Sequence, residues 1–179
     1  MLARAHDTTQ NNWLPDYLTK NVAGIDFAHL EQRGVKRCFI DIDGTITPRG
    51  GGEVDEKTLQ NLRRMKLPLF IATNRLNTTG LAELATRINA EGFITPQNWR
   101  GKPSRAYYRN ALSRYGFAAN ETAMIGDRLL QDVWGANRAG LVTVFVTHRF
   151  DANNSRFEHW LDRWQERLIK RWARFYRVD

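Results

Sequence analysis

Arg37-Cys38-Phe39-Ile40-Asp41-Ile42-Asp43-Gly44-Thr45 is the stretch from which the fold of this chain is read. An apolar run ends in two carboxylates, a glycine and a hydroxyl. In an extended chain residues two apart point to the same side, so Asp41 and Asp43 project toward one site at the strand's end while Ile42 packs the other way. Apolar runs at 37–42, 67–73, 92–95, 122–126 and 141–146 read as strands. Between them, 56–65, 79–90, 104–115 and 129–138 carry helical spacing, with Gly116 and Gly140 as stops. Parallel pairing needs crossovers, and right-handed ones are strongly preferred. The alternation therefore predicts an α/β, Rossmann-like parallel sheet with helices on both faces. Such sheets bind ligands beyond the carboxyl ends of their strands.

The polar residues at those ends form a consistent set. Two neighbouring carboxylates repel unless a cation or proton intervenes. Oxygen ligands with no His or Cys nearby point to magnesium rather than zinc. The second run ends in Thr73-Asn74, a hydroxyl and an amide suited to a phosphoryl oxygen. Lys102, in Gly101-Lys102-Pro103, stands at a strand-to-helix junction where it could neutralise a transferring phosphoryl group, and Pro103 suits a first helical turn. The fourth run ends in Gly126-Asp127-Arg128, which supplies a third metal-facing carboxylate, with Asp132 further along the next helix. Taken singly, Thr73 reads as a cap, Lys102 as a surface charge and the two aspartates as turn punctuation. Their order at successive strand ends makes coincidence improbable.

With these motifs the chain resembles the haloacid dehalogenase superfamily over roughly 13–147. The resemblance implies that Asp41 is the nucleophile and that Asp43 first protonates the leaving oxygen, then activates water. It also implies that Thr73, Asn74 and Lys102 bind the phosphate, and that Mg2+ is held by Asp41, the Asp43 backbone carbonyl and Asp127, supported by Asp132. Leu14-Pro15, Gly24-Ile25-Asp26, Gly34-Val35-Lys36 and the segment from Gly126 to Gly140 resemble the YqeG-type branch of subclass IIIA, which includes phosphatidylglycerophosphate phosphatases. Two positions depart from that branch. Gly44 stands where asparagine is usual, and Thr73-Asn74-Arg75 where Ser-Asn-Asn is usual.

Neither 46–70 nor 74–101 leaves room for a large cap domain, and Pro48-Arg49-Gly50-Gly51-Gly52 reads as a flap beside an open site. The domain reading is a phosphatase core with an N-terminal lead-in over 1–150, followed by a basic, Trp-rich amphipathic helix over 151–179. In that helix Phe157, Trp160, Leu161, Trp164, Leu168, Trp172 and Phe175 recur at helical steps and the last turns are basic. Docking on the core, lying in an anionic membrane interface through 154–177, and contacting a second copy are the readings open to it.

The 179 residues allow one sizeable core, and no apolar run is long enough to span a bilayer. No secretory signal is visible, so the expected location is cytoplasmic, with peripheral membrane contact. Cys38 reads as a buried structural thiol. A net charge of +8 suits anionic partners. The leading expectation is a Mg-dependent phosphatase for phosphatidylglycerophosphate, and the alternative is one for a soluble sugar or nucleotide phosphate. A nucleic-acid binder or end-processing enzyme ranks last, because the basic residues are spread out and no such module is recognisable.

Overall fold

A computed structural model of the chain describes residues 12–48, 52–97 and 100–147. Strands β1 (Tyr17–Thr19), β2 (Arg37–Ile40), β3 (Leu69–Ala72), β4 (Gly92–Ile94), β5 (Thr122–Gly126) and β6 (Val142–Val146) form one sheet in the order β1-β6-β5-β2-β3-β4. Every pairing is parallel. After β2 the chain builds outward through β3 and β4, then returns to add β5 and β6 on the other side. The strand order thus reverses between β2 and β5, and the crevice at such a reversal is where ligands bind in open α/β sheets.

Alternation along the strands separates two cores, as buried parallel strands require. Cys38, Ile40, Leu69, Ile71, Ala123 and Ile125 face one side, where they meet Phe27 and Leu30 of α1 (Phe27–Gln32), Leu59 and Leu62 of α2 (Glu56–Arg64), and Leu81 and Ala85 of α3 (Leu81–Arg87). Phe39, Phe70, Ala72 and Met124 face the other, against Tyr107, Tyr108, Ala111 and Leu112 of α4 (Arg105–Tyr115) and Ala136 of α5 (Gly135–Asn137). Helices therefore cover both faces, as the sequence pattern predicts. Cys38 is completely buried, and that burial pushes its thiol up to about 12, as befits an inert packing residue.

The element boundaries differ from expectation where local chemistry intervenes. Pro68 has no N–H for the ladder, so β3 begins at Leu69, while the Pro68 carbonyl still accepts from Cys38 N–H. Helix α4 starts at Arg105 with Ser104 at its N-cap, which leaves Pro103 outside the first turn where it was expected. Gly116 stops α4 at φ 66°, whereas α5 ends at Asn137 and Gly140, at φ 85°, lies in the turn that follows. The segment 129–138, expected as one regular helix, opens as a π-helix over Leu129–Trp134 before α5. Strand β1 and helix α1 were not foreseen. Asp16 fastens β1 to the sheet edge by accepting from Thr143 N–H at 2.8 Å and from its hydroxyl at 3.1 Å.

Among the described residues, α2 alone fills 52–68 and α3 with β4 fills 74–97, with no cap domain. No described helix is long and apolar enough to cross a membrane. Residues 49–51 of the expected flap and the whole 151–179 segment lie outside the described residues.

Candidate active site

The ends of β2 and β5 bring Asp41, Asp127 and Asp132 together with Lys102. Asp41 follows β2 directly, its N–H donating to the Ile125 carbonyl at 2.9 Å, so the ladder with β5 fixes the carboxylate at the crevice. Beyond it the chain turns back: the N–H groups of Thr45, Ile46 and Thr47 all donate to the Ile42 carbonyl. Gly44 sits within this turn at φ 88°. Glycine adopts that left-handed region freely, and asparagine, the residue expected of the YqeG-type branch, is among the few others that tolerate it.

Carboxylate oxygens of Asp41, Asp127 and Asp132 lie within 4.8 Å of one another, and all three residues are buried. Lys102 Nζ reaches into the group, donating to Asp41 Oδ1 at 2.8 Å and to Asp132 Oδ1 at 2.6 Å. Its side chain is wholly out of solvent. Burial pulls the ammonium down, but Asp132 and Asp41 outweigh it and hold the lysine above its ordinary range. Burial pushes the Asp41 carboxyl up to about 6 against the opposing pull of Lys102, and raises Asp132 in the same way. The cluster sets three carboxylates against one ammonium, an excess of negative charge that a divalent cation would relieve. Hard, buried oxygen donors with no thiolate or imidazole among them fit magnesium. Asp41 and Asp127, with Asp132 beside them, are side chains that could hold it.

Neighbours outside the predicted set fix this geometry. Thr45 Oγ1 donates to Asp127 Oδ1 at 3.3 Å, and Arg128 N–H donates to Asp132 Oδ2 at 3.0 Å. Gly126 is required by Asp132: a Cβ there would stand 2.3 Å from the Asp132 carboxyl carbon. Thr73 is buried at the end of β3, its hydroxyl accepting from Arg75 N–H at 3.1 Å. The Tyr107 hydroxyl donates to the Thr73 carbonyl at 3.1 Å and anchors that turn.

Asn74 is engaged by the backbone of Lys102. Its amide accepts from Lys102 N–H at 2.7 Å and donates to the Lys102 carbonyl at 2.9 Å, strapping the lysine loop to the end of β3. Sequence reasoning gave Asn74 to the phosphate, whereas its side chain here holds the backbone that carries Lys102. Asp43 stands apart from the buried trio. Its carboxylate is gripped at both oxygens by Arg75, through Nε at 2.8 Å and Nη2 at 2.5 Å. Arg75 was noticed in the sequence only as a departure from the related pattern.

Residues 99–158 match the family described as HAD-hydrolase-like. A haloacid dehalogenase-like family hydrolase from Streptococcus pneumoniae superimposes with a TM-score of 0.52 at 14% identity, covering 66% of this chain and 87% of that one, a likeness of fold alone. In fold and in the order of its site residues, the chain is similar to haloacid dehalogenase-like phosphatases. Within that class its likeness is to YqeG-type proteins. It is 26% identical over 138 residues to "Probable phosphatase YqeG" of Bacillus subtilis, which covers 75% of this chain and 77% of the relative. It is 27% identical to the Arabidopsis thaliana phosphatidylglycerophosphate phosphatase 1, chloroplastic/mitochondrial, over 90% of this chain but only 48% of that protein. A glyceraldehyde 3-phosphate phosphatase of Methanocaldococcus jannaschii is 34% identical over 50% of this chain and 41% of its own length.

Proposed function

We propose that the chain is a magnesium-dependent phosphomonoester hydrolase working through an aspartyl-phosphate on Asp41, and that its substrate is phosphatidylglycerophosphate. The observation that carries the chemistry is a buried Asp41 carboxylate, at the end of a central strand, paired with a fixed internal cation. An Asp41 oxygen attacks phosphorus as the ester P–O bond breaks, and Asp43 gives its proton to the departing alkoxide. Water then attacks the aspartyl-phosphate, Asp43 takes up the water proton, and the bond to Asp41 breaks to release phosphate. The Lys102 ammonium offsets charge on the phosphoryl oxygens, and the Thr73 hydroxyl donates to one of them. Magnesium, when bound, supplies further charge neutralisation.

For the lipid, the likeness to the Arabidopsis enzyme over most of this chain is the chief support. The rim adds to it. Leu76, 63% exposed, and Leu130, 37% exposed, are the exposed large hydrophobic residues among those described. They adjoin Arg75 and Gln131 respectively, and the Gln131 side chain accepts from Asn74 at 3.3 Å. Such a rim, with no cap domain among the described residues, suits a phosphate presented at a surface. The aromatic stripe and basic end of 154–177 would place the enzyme on an anionic membrane from the cytoplasmic side.

The test is a substrate panel with magnesium, comparing phosphatidylglycerophosphate in mixed micelles with glyceraldehyde 3-phosphate, sugar phosphates and nucleotides. A higher kcat/KM for the lipid is expected. Preference for a soluble ester would end the lipid assignment and leave a soluble-ester phosphatase.

A further inference from the structure

Arg75, paired with Asp43, is a cation that the chemistry above leaves unused. Lys102 is fully buried and engaged by Asp41 and Asp132, so it is committed to the reacting phosphate. The Arg75 and Asp43 side chains are 34% and 31% exposed, a pair open to an arriving ligand. The turn that carries Arg75 is tied down, its N–H donating to the buried Thr73 hydroxyl. The guanidinium fork is therefore held beside the phosphate position, free to change partner by side-chain rotation alone.

That fork takes one acceptor site on each oxygen of Asp43 and fixes the orientation of the carboxylate while the pair is made. A substrate that separates the pair leaves the carboxylate free to turn toward the leaving group. A ligand shifts such an equilibrium only by binding the separated state better, and a second anion on the substrate would do so, because guanidinium pairs with phosphate in the same forked way.

We infer that Arg75 is a substrate-selecting residue, its guanidinium leaving Asp43 for a second anionic phosphate group carried on the alcohol part of the phosphomonoester. The favoured substrate then releases the proton-transferring group by the act of binding. This rests on the phosphatase reading and on Asp43 as its acid and base. The chemistry required is a phosphomonoester with a neighbouring phosphodiester or second phosphate. A lipid headgroup and a soluble diphosphorylated metabolite both supply it.

The experiment measures kcat and KM with magnesium for glycerol 3-phosphate, which has no second anion, and for two esters with a neighbouring phosphodiester. One is water-soluble glycerophosphoglycerol phosphate, the other the diacyl lipid in micelles. Wild type should favour a phosphodiester-bearing ester by roughly 10- to 100-fold, the range of a hydrogen bond to a charged group. Arg75→Gln should erase that preference through KM, while turnover of glycerol 3-phosphate rises about threefold because Asp43 is no longer clamped. Arg75→Lys, which keeps the charge without the fork, should fall between them. Loss of preference for the soluble ester places recognition in the headgroup alone. Loss confined to the lipid places it at the membrane surface. Parallel losses on all three esters, or a wild type without preference, would overturn the proposal. No turnover of any ester by wild type would instead remove the phosphatase reading beneath it.

Discussion

Lys102 Nζ lies 2.8 Å from Asp41 Oδ1, with both side chains almost entirely out of solvent. Removing one member of such a pair leaves its partner buried and uncompensated, typically at a cost of about 3–5 kcal/mol. Lys102→Met should therefore lower the melting temperature sharply in a chelator. Added magnesium should restore part of the loss, since the cation supplies charge to the same carboxylates. Thermal denaturation with and without the metal reads this directly. A variant as stable as wild type in chelator would show that the pair contributes little.

Asp132 and Gly126 give a steric counterpart. The glycine leaves space only for the Asp132 carboxylate, whose carbon would be 2.3 Å from an added methyl group. Gly126→Ala should cost roughly 1–3 kcal/mol, the usual range for overpacking. It should also weaken magnesium binding by at least roughly tenfold, as loss of a supporting residue around a metal does. Calorimetric titration checks the second effect; unchanged affinity would separate Asp132 from the metal.

Protons and magnesium should compete for the same group. Burial raises the folded Asp41 carboxyl to about 6, above its unfolded value. Between the two values the folded state binds more protons, so this group's contribution to metal-free stability falls as pH rises through that window and is constant above it. Magnesium binds the ionised carboxylate. Its stabilisation should therefore be small near pH 5 and larger near pH 7.5, by the proton linkage of metal ligands. A magnesium-induced melting shift independent of pH would contradict this placement of the ion.

Much of this was legible in the sequence because the fold reports itself at strand ends. Asp41, Thr73 and Asp127 stand at the ends of apolar runs whose alternation is dictated by a sheet buried on both faces, and the structure gathers Asp41 and Asp127 with Lys102 and Asp132 at one crevice. What escaped had no periodic signal. Strand β1 is three residues long and α1 six, too short for either period to emerge. The π-helix after β5 depends on packing around Asp132 and Tyr108, whose hydroxyl donates to the Gln131 carbonyl at 2.7 Å. The partners of Arg75 and Asn74 lie 32 and 28 residues away in the chain, and such pairings appear only once the sheet has brought the loops together.

Covalent capture tests the central claim most directly. The enzyme would be quenched in acid during turnover of a phosphomonoester with magnesium, and the phosphoryl group located by mass spectrometry of its peptides. The account predicts a phosphoryl group on Asp41 in wild type. Asp41→Asn should show none and no turnover, while melting close to wild type. Turnover that persists in Asp41→Asn, or a phosphoryl group found on a different residue, would contradict it.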